Sequence, residues 1–391
     1  MLSFDNTKVA FQYKTDADLN RASWLFRFMN KNLLVKTGKA LTNIALALHL
    51  PINWAVKPTL YKHFVGGETI KECIPIVRLL EKFKVGAILD YSVEGGKDTE
   101  TMDRTLAETL LTISNAANDN NISFAVFKPT AFATPQILEL LSSGTTLSNT
   151  VADEAQKFKQ RVEVLCMEAY KSGIRLMIDA EDSWYQDFVD DVVTEMMEKY
   201  NKEQAIVYNT LQMYRTDRLD FLKTTLQKAI AVNYKVGIKF VRGAYMERER
   251  KRAHELGYAS PVQPDKKSTD QAYDDALTYS VENIDRISIF NGTHNEKSNQ
   301  HLAELMQKHG LQKNDSRIWF AQLYGMSDHI SFNMADAGYN VAKYIPYGPV
   351  KNILPYLIRR AEENTSIAGQ MGRELSLIVK EQNRRKTESG R

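Results

Sequence analysis

From residue 85 onward, eight short runs of β-branched and aromatic residues recur, each followed by a stretch long enough for a helix. They are Gly86–Val93, Ser123–Pro129, Arg175–Ala180, Ala205–Gln212, Gly237–Gly243, Ser288–Thr293, Ile318–Leu323 and Asn340–Ile345. Near-continuous apolar runs mark strands covered on both faces, and their alternation with helices calls for a parallel sheet. Eight such units close on themselves. The expected fold is therefore α/β, a distorted (β/α)8 barrel of TIM type. Residues 1–84 show long helical stripes, such as Leu25, Phe26, Phe28 and Met29, with almost no two-residue alternation. They read as an N-terminal helical arm, residues 85–379 as the barrel, and 380–391 (KEQNRRKTESGR) as a polar, disordered tail.

Several function classes fall away on composition. Apolar residues at 43% and charged residues at 25% allow a sizeable core. With 51 basic and 48 acidic side chains the net charge is only +3, so no global field draws the chain toward nucleic acid. Cys73 and Cys166 stand far apart and outside any CxxC or Cys/His grouping, which argues against a structural zinc site or a disulfide framework. The start, MLSFDNTKVAFQYKTD, has neither a secretory nor a transit-peptide pattern, and the most apolar stretch, residues 41–56, is too polar and short to span a bilayer. A cytoplasmic enzyme, at most peripheral on an inner membrane, is expected. No GxGxxG or GxxxxGK[ST] follows a strand, so a nucleotide cofactor would have to be held by the barrel itself.

In such barrels the strand C-termini carry the chemistry. Walking round them gives Asp90 and Ser92, Lys128, Asp179 and Glu181, Gln212, Arg242, His294 and Asn295, Gln322 and Tyr324, then Tyr344. Taken singly, each is as readily a solvated or capping residue; their convergence on one rim favours a site. Lys128 is either a terminus that snorkels to solvent or a cation aimed into the barrel. Asp179 and Glu181 are compatible with a glycosidase pair, but the aromatic platforms that sugars need are missing. His294 in NGTHNE is a metal ligand, a base or a cofactor partner, and the lack of HxH or HExxH spacing favours the last. The segment 255–275 reads as a loop over this face.

The most informative helix follows the eighth run, in YGPVKNILPYLIRRAEENTS. Tyr356, Arg359 and Arg360 lie at i, i+3 and i+4, with Glu363 a turn further on the same side. Two adjacent guanidiniums make a matched receptor for a carboxylate. The competing reading is a solvated helix whose arginines pair with Glu362 or Glu363 at the surface.

In this order the blocks LDYSVEG, FKPTAF, IDAED, YNTLQMY, KFVRGAYMERER, GTHNE, FAQLYGM, KYIPYGPV and LPYLIRRAEENTS resemble the proline dehydrogenase family, from about Leu89 to Ser366. The resemblance implies oxidation of L-proline to Δ1-pyrroline-5-carboxylate by hydride transfer to FAD. It also implies a quinone acceptor, a visit to the membrane surface, and a separate pyrroline-5-carboxylate dehydrogenase downstream in proline catabolism. By position, Arg359 and Arg360 bind the proline carboxylate with help from Lys128, while Tyr344, Tyr356 and Leu323 close over the ring. Asp179 supports Lys128 and the tyrosine layer. Gln212, Lys239, Val241, Arg242, Gly243, Ala244, His294 and Glu363 match positions that contact FAD. The chain ends too soon after the barrel for an attached aldehyde dehydrogenase. The alternatives are a hydroxyproline dehydrogenase of the same family, against which Tyr344 argues, and a colourless amino-acid-binding barrel. A folate-linked flavin barrel would have no use for the arginine pair. Membrane contact would fall to the basic residues Lys380, Arg384, Arg385 and Lys386 or to the apolar stretch 41–50.

Overall fold

The computed structural model describes residues 2–29, 56–92, 98–146, 148–366 and 370–389, and of 361–366 and 370–371 the backbone alone. Eight parallel strands pair in sequence order and close, β8 bonding back to β1. They are β1 (Val85–Tyr91), β2 (Ile122–Phe127), β3 (Arg175–Ile178), β4 (Val207–Gln212), β5 (Val236–Val241), β6 (Ile287–Gly292), β7 (Ile318–Leu323) and β8 (Val341–Tyr347). Each expected strand is present, with ends displaced by a few residues.

Period-two alternation divides every strand between two cores. On β8, Ala342 and Tyr344 face the barrel interior with Ile88, Phe124, Met177, Tyr208 and Phe290. Val341, Ile345 and Tyr347 face the helical jacket. At the opposite end from the strand C-termini, the Arg175 guanidinium lies 5.5 Å from the Phe124 ring centroid and 5.9 Å from that of Trp319. This cation stacked on aromatic faces fills the floor of the barrel.

The arm contributes the helices Asp16–Met29 and Ile70–Glu81 and a π-helical turn, Lys57–Tyr61. Its Phe11, Leu19, Leu25, Phe26 and Phe64 build a further core with Ile353, Tyr356 and Leu357 of the Val350–Ser366 helix and Leu377 and Ile378 near the C-terminus. The arm is thus a cover for the helix that carries the arginine pair.

Two expectations are corrected. Residues 380–391 were expected to form a disordered tail, but a helix runs Gln370–Glu388. Its charges are used internally: Glu381, fully buried, binds Arg384 and Arg385, and Arg385 also donates to the carbonyls of Phe11 and Lys14. Lys380 donates to the Asp5 carbonyl. Arg385 and Lys380 therefore tie the chain's two ends together, while Arg384 pairs with Glu381 and Glu388 of its own helix; the apolar stretch 41–50 lies outside the described residues. The segment 255–275 is mostly helix as well. Gly257 in the left-handed conformation ends the Met246–Leu256 helix, and Asp265 caps Lys266–Glu282 by accepting from the Ser268 N–H, leaving only 257–265 irregular.

Candidate active site

Charged side chains from the ends of four strands, β1, β2, β3 and β5, meet the Tyr344 phenol of β8 at the C-terminal mouth of the barrel. Lys239, pointing inward from β5, donates to Asp179 Oδ1 at 2.6 Å and to the Tyr344 hydroxyl at 2.8 Å. Just past β2, Lys128 donates to the other oxygen of Asp179 at 3.0 Å and lies 3.7 Å from Asp90 Oδ2. The Ser92 hydroxyl donates to Asp90 Oδ2 at 2.7 Å. Burial alone would raise the Asp179 pKa, but the two ammonium groups outweigh it and hold the carboxyl down at about 2. Burial lowers Lys239 from its ordinary value, with Asp179 opposing. Burial, followed by the Asp179 and Asp90 charges, keeps Tyr344 a phenol. Two lysines against two carboxylates leave this inner cluster electrically balanced.

The arginine helix is linked to that cluster through Leu323. Tyr356 and Arg360 are 7% and 8% exposed, and Ile353 and Leu357 fully buried, so the helix is packed rather than solvated. The Arg360 guanidinium lies 5.2 Å from the Tyr356 ring centroid, and its charge is felt at His294 beyond β6. Arg359, next to it, is partly buried. Leu323, last residue of β7, joins the two apolar worlds: it packs on the interior cluster that holds Tyr344 and on the covering cluster that holds Tyr356. Glu363 lies in the same helix, but its side chain is outside the described residues.

A second group of expected residues lines the β4–β6 side. Gln212 is buried and donates weakly to the Ala180 carbonyl at 3.5 Å. Val241 and Arg242 are partly exposed, and Gly243 and Ala244 open to solvent. The Arg242 fork spreads over three partners: Asp270 at 2.8 Å, the Thr293 hydroxyl at 2.8 Å and the Ser298 hydroxyl at 2.9 Å. Gly243 has φ +104°, and a Cβ there would come within 2.0 Å of the Tyr214 ring, so only glycine fits. His294, partly buried, makes a 2.9 Å hydrogen bond through Nδ1 to the Ser327 hydroxyl. Burial, then Lys343 and Arg360, lowers its pKa to about 3, so the ring is neutral at physiological pH. Among the described residues, no group of three or more His, Cys, Asp or Glu side chains is placed to hold a metal.

Some of the site's supports have no distinctive sequence signal. Glu249, fully buried on the helix after β5, accepts from the Ser183 N–H at 2.7 Å and from the Tyr214 hydroxyl at 3.1 Å. It fastens the loops after β3 and β4 together. Lys343 faces outward from β8, fully buried, paired with Asp328 at 2.8 Å. In sequence both are ordinary surface charges.

The family model "Proline dehydrogenase" matches residues 73–373. The chain belongs to the proline dehydrogenase family. It is 34% identical to the carbapenem antibiotics biosynthesis protein CarD of Pectobacterium carotovorum, over 82% of this chain and 83% of that one. It is 30% identical to a mitochondrial proline dehydrogenase 1 of Dictyostelium discoideum, over 98% of this chain and 75% of that one. Proline utilization A from Bdellovibrio bacteriovorus, at 19% identity, shares the fold with a TM-score of 0.71 over 93% of this chain, which spans 36% of that longer protein. A family oxidoreductase with a closed eight-stranded parallel barrel therefore carries the mouth described above. No described helix is long and apolar enough to cross a membrane.

Proposed function

We propose that this proline dehydrogenase family member oxidises L-proline to Δ1-pyrroline-5-carboxylate at the barrel mouth, with FAD as cofactor and a quinone as the onward electron acceptor. The observation that carries the reading is the pairing of a balanced cluster of Lys128, Lys239, Asp179 and Asp90 with a buried arginine helix across Leu323. Proline has a carboxylate and a largely apolar ring, and this mouth offers a guanidinium pair beside tyrosine and leucine surfaces.

The residues present fit a flavin dinucleotide. Lys239, Arg242, Gln212 and His294 are donors to carbonyl and phosphate oxygens. Gly243 leaves the backbone after β5 bare of a side chain at the solvent-facing rim. Val241, Ala244 and, by family position, Glu363 complete the proposed cofactor set. FAD, when bound, supplies a two-electron acceptor.

The chain's own share is orientation. Arg359 and Arg360 take the proline carboxylate in charge-assisted bonds, with Lys128 adding a third cation. Tyr344, Tyr356 and Leu323 press on the pyrrolidine ring and exclude water, which fixes the C5–H bond toward the acceptor. Asp179 and Lys239 hold the Tyr344 hydroxyl in place. The C5–H bond breaks with its electron pair leaving as hydride, the nitrogen lone pair forms the C=N bond, and the amine proton is released. The reaction needs no covalent nucleophile, and the neutral amine is the reactive form. The product suits a separate pyrroline-5-carboxylate dehydrogenase. The quinone acceptor, and with it a membrane-peripheral location, rests on the family resemblance rather than on a membrane surface made from the C-terminal cations.

Purified protein should be yellow and should turn over L-proline well ahead of hydroxyproline, because the Tyr344 ring takes the space a ring hydroxyl needs. A colourless protein that binds proline without turnover would instead mark a binding barrel, and a preference for hydroxyproline would move the substrate assignment.

A further inference from the structure

The turn after β7 is held more tightly than a connection between strand and helix requires. Ser327 sits there at φ +50° and ψ 43°, one of three non-glycine residues at positive φ among those described, and is fully buried. Such a conformation persists only where the surroundings enforce it. Here Glu374, 3% exposed on the C-terminal helix, accepts the Ser327 N–H at 2.7 Å. His63 of the arm bonds the Gly325 carbonyl through Nε2 at 2.9 Å. Asp328 is gripped by the Tyr13 hydroxyl at 2.7 Å, Lys14 at 3.0 Å and Lys343 at 2.8 Å. Both chain ends and the arm thus converge on one turn. What that turn presents toward β6 is the Ser327 hydroxyl, 2.9 Å from His294 Nδ1.

We propose that Ser327 and Glu374 are positioning residues for His294, setting its ring plane and its tautomer so that Nε2 carries the proton offered to the bound dinucleotide. The proposal rests on the reading of His294 as a cofactor contact. A neutral imidazole has one N–H, and the hydrogen bond at one nitrogen decides where it sits. With the serine hydrogen directed at Nδ1, the N–H falls on Nε2, a donor suited to a phosphate or carbonyl oxygen. The left-handed backbone aims the hydroxyl, and the buried Glu374 carboxylate fixes that backbone. Glu374 itself is pushed up to about 7 by burial, with Asp328 adding to the rise and His329 and Lys343 opposing it. Either protonation state of Glu374 leaves an oxygen to accept the Ser327 N–H.

The test compares Ser327→Gly, Ser327→Ala, Glu374→Gln, Glu374→Ala and His294→Ala. FAD dissociation constants come from reconstitution of the apoprotein, tautomers from the ¹⁵N shifts of His294, and thermal midpoints from each variant. Wild type should show the Nε2–H tautomer. Ser327→Gly is the deciding variant, since glycine is at ease at φ +50° and the fold should melt no lower than wild type. It should nevertheless mix the tautomers and weaken FAD binding about tenfold, the scale of one lost hydrogen bond to a held group. Ser327→Ala should show the same tautomer mixing. Glu374→Gln, which keeps an acceptor, should behave like wild type, and Glu374→Ala like Ser327→Gly. Unchanged FAD affinity and tautomer in Ser327→Gly, with His294→Ala weakened, would overturn the positioning role alone. Unchanged affinity in His294→Ala would remove the cofactor reading beneath it.

Discussion

Lys239 on β5 and Tyr344 on β8 meet inside the barrel twice over: the ammonium donates to the phenol oxygen at 2.8 Å and lies 4.4 Å from the ring centroid. The ring is thereby locked in the plane in which we place the substrate. Replacing Tyr344 by serine removes both contacts and opens space. Turnover of proline should fall, and the ratio of kcat/KM for hydroxyproline over proline should rise at least about tenfold, the lower scale for a changed steric fit. Steady-state kinetics with both substrates check this. An unchanged ratio would count against ring packing by Tyr344.

Asp179 pairs with two lysines at once, one through each carboxylate oxygen, with the three side chains only 8–14% exposed. Asp179→Ala leaves the lysines facing each other without their shared carboxylate, a loss of about 3–5 kcal/mol of stability. Denaturant unfolding at pH 7 reads it. A second change, Lys239→Met in the Asp179→Ala background, should restore part of the loss, because one of the stranded charges is then gone.

Acid should act in two stages. His63 and His294 are each held neutral, burial being the main cause, with pKa values lowered from 6.5 to about 3. The unfolded chain takes up protons first, so stability falls as the pH drops below 6.5 and levels off near 3. Asp179, lowered from 3.8 to about 2, contributes stability that is present above about 4 and is lost as the pH falls through 2. Unfolding free energy measured from pH 8 to 3 should decline over the histidine window, and the decline should be shallower in His63→Gln, which cannot titrate. A flat profile down to pH 4 would contradict the buried neutral histidines.

The C-terminal helix packs against the helix that bears the arginine pair. Leu377, 2% exposed, packs in the cluster that includes Tyr356. Leu377→Ala should cost about 2–4 kcal/mol of stability, as large-to-small core changes do. Because it loosens the helix bearing Arg359 and Arg360, it should also raise KM for proline more than it lowers kcat. Equal loss of both would show that the helix serves the fold alone.

What the sequence revealed and what it hid divide along physical lines. Parallel strands covered on both faces write themselves as apolar runs, so all eight could be located, with boundaries blurred by one or two residues. Tyr356, Arg359 and Arg360 were legible because helical spacing puts them together locally. The Gln370–Glu388 helix was not: KEQNRRK has the composition of a solvated tail, and only the tertiary fold reveals that Glu381 is a buried acceptor for Arg384 and Arg385. Ser327 and Glu374, 47 positions apart, gave no local sign of their hydrogen bond. Lys343 looked like any polar residue in a strand, and its partner Asp328 becomes visible only when the helix after β7 folds back over β8.

The central claim is that Arg359 and Arg360 grip the carboxylate of a small amino acid while a flavin accepts its hydride. An anaerobic titration following the flavin band near about 450 nm, with L-proline and with L-prolinamide, tests it most directly. Wild type should bleach with proline at concentrations at least about a hundredfold below those needed for the amide, which lacks the anion, as expected for about 3 kcal/mol of charge-assisted binding. In the Arg359→Met, Arg360→Met double variant that preference should vanish. A preference for proline over its amide that survives loss of both guanidiniums would contradict the account.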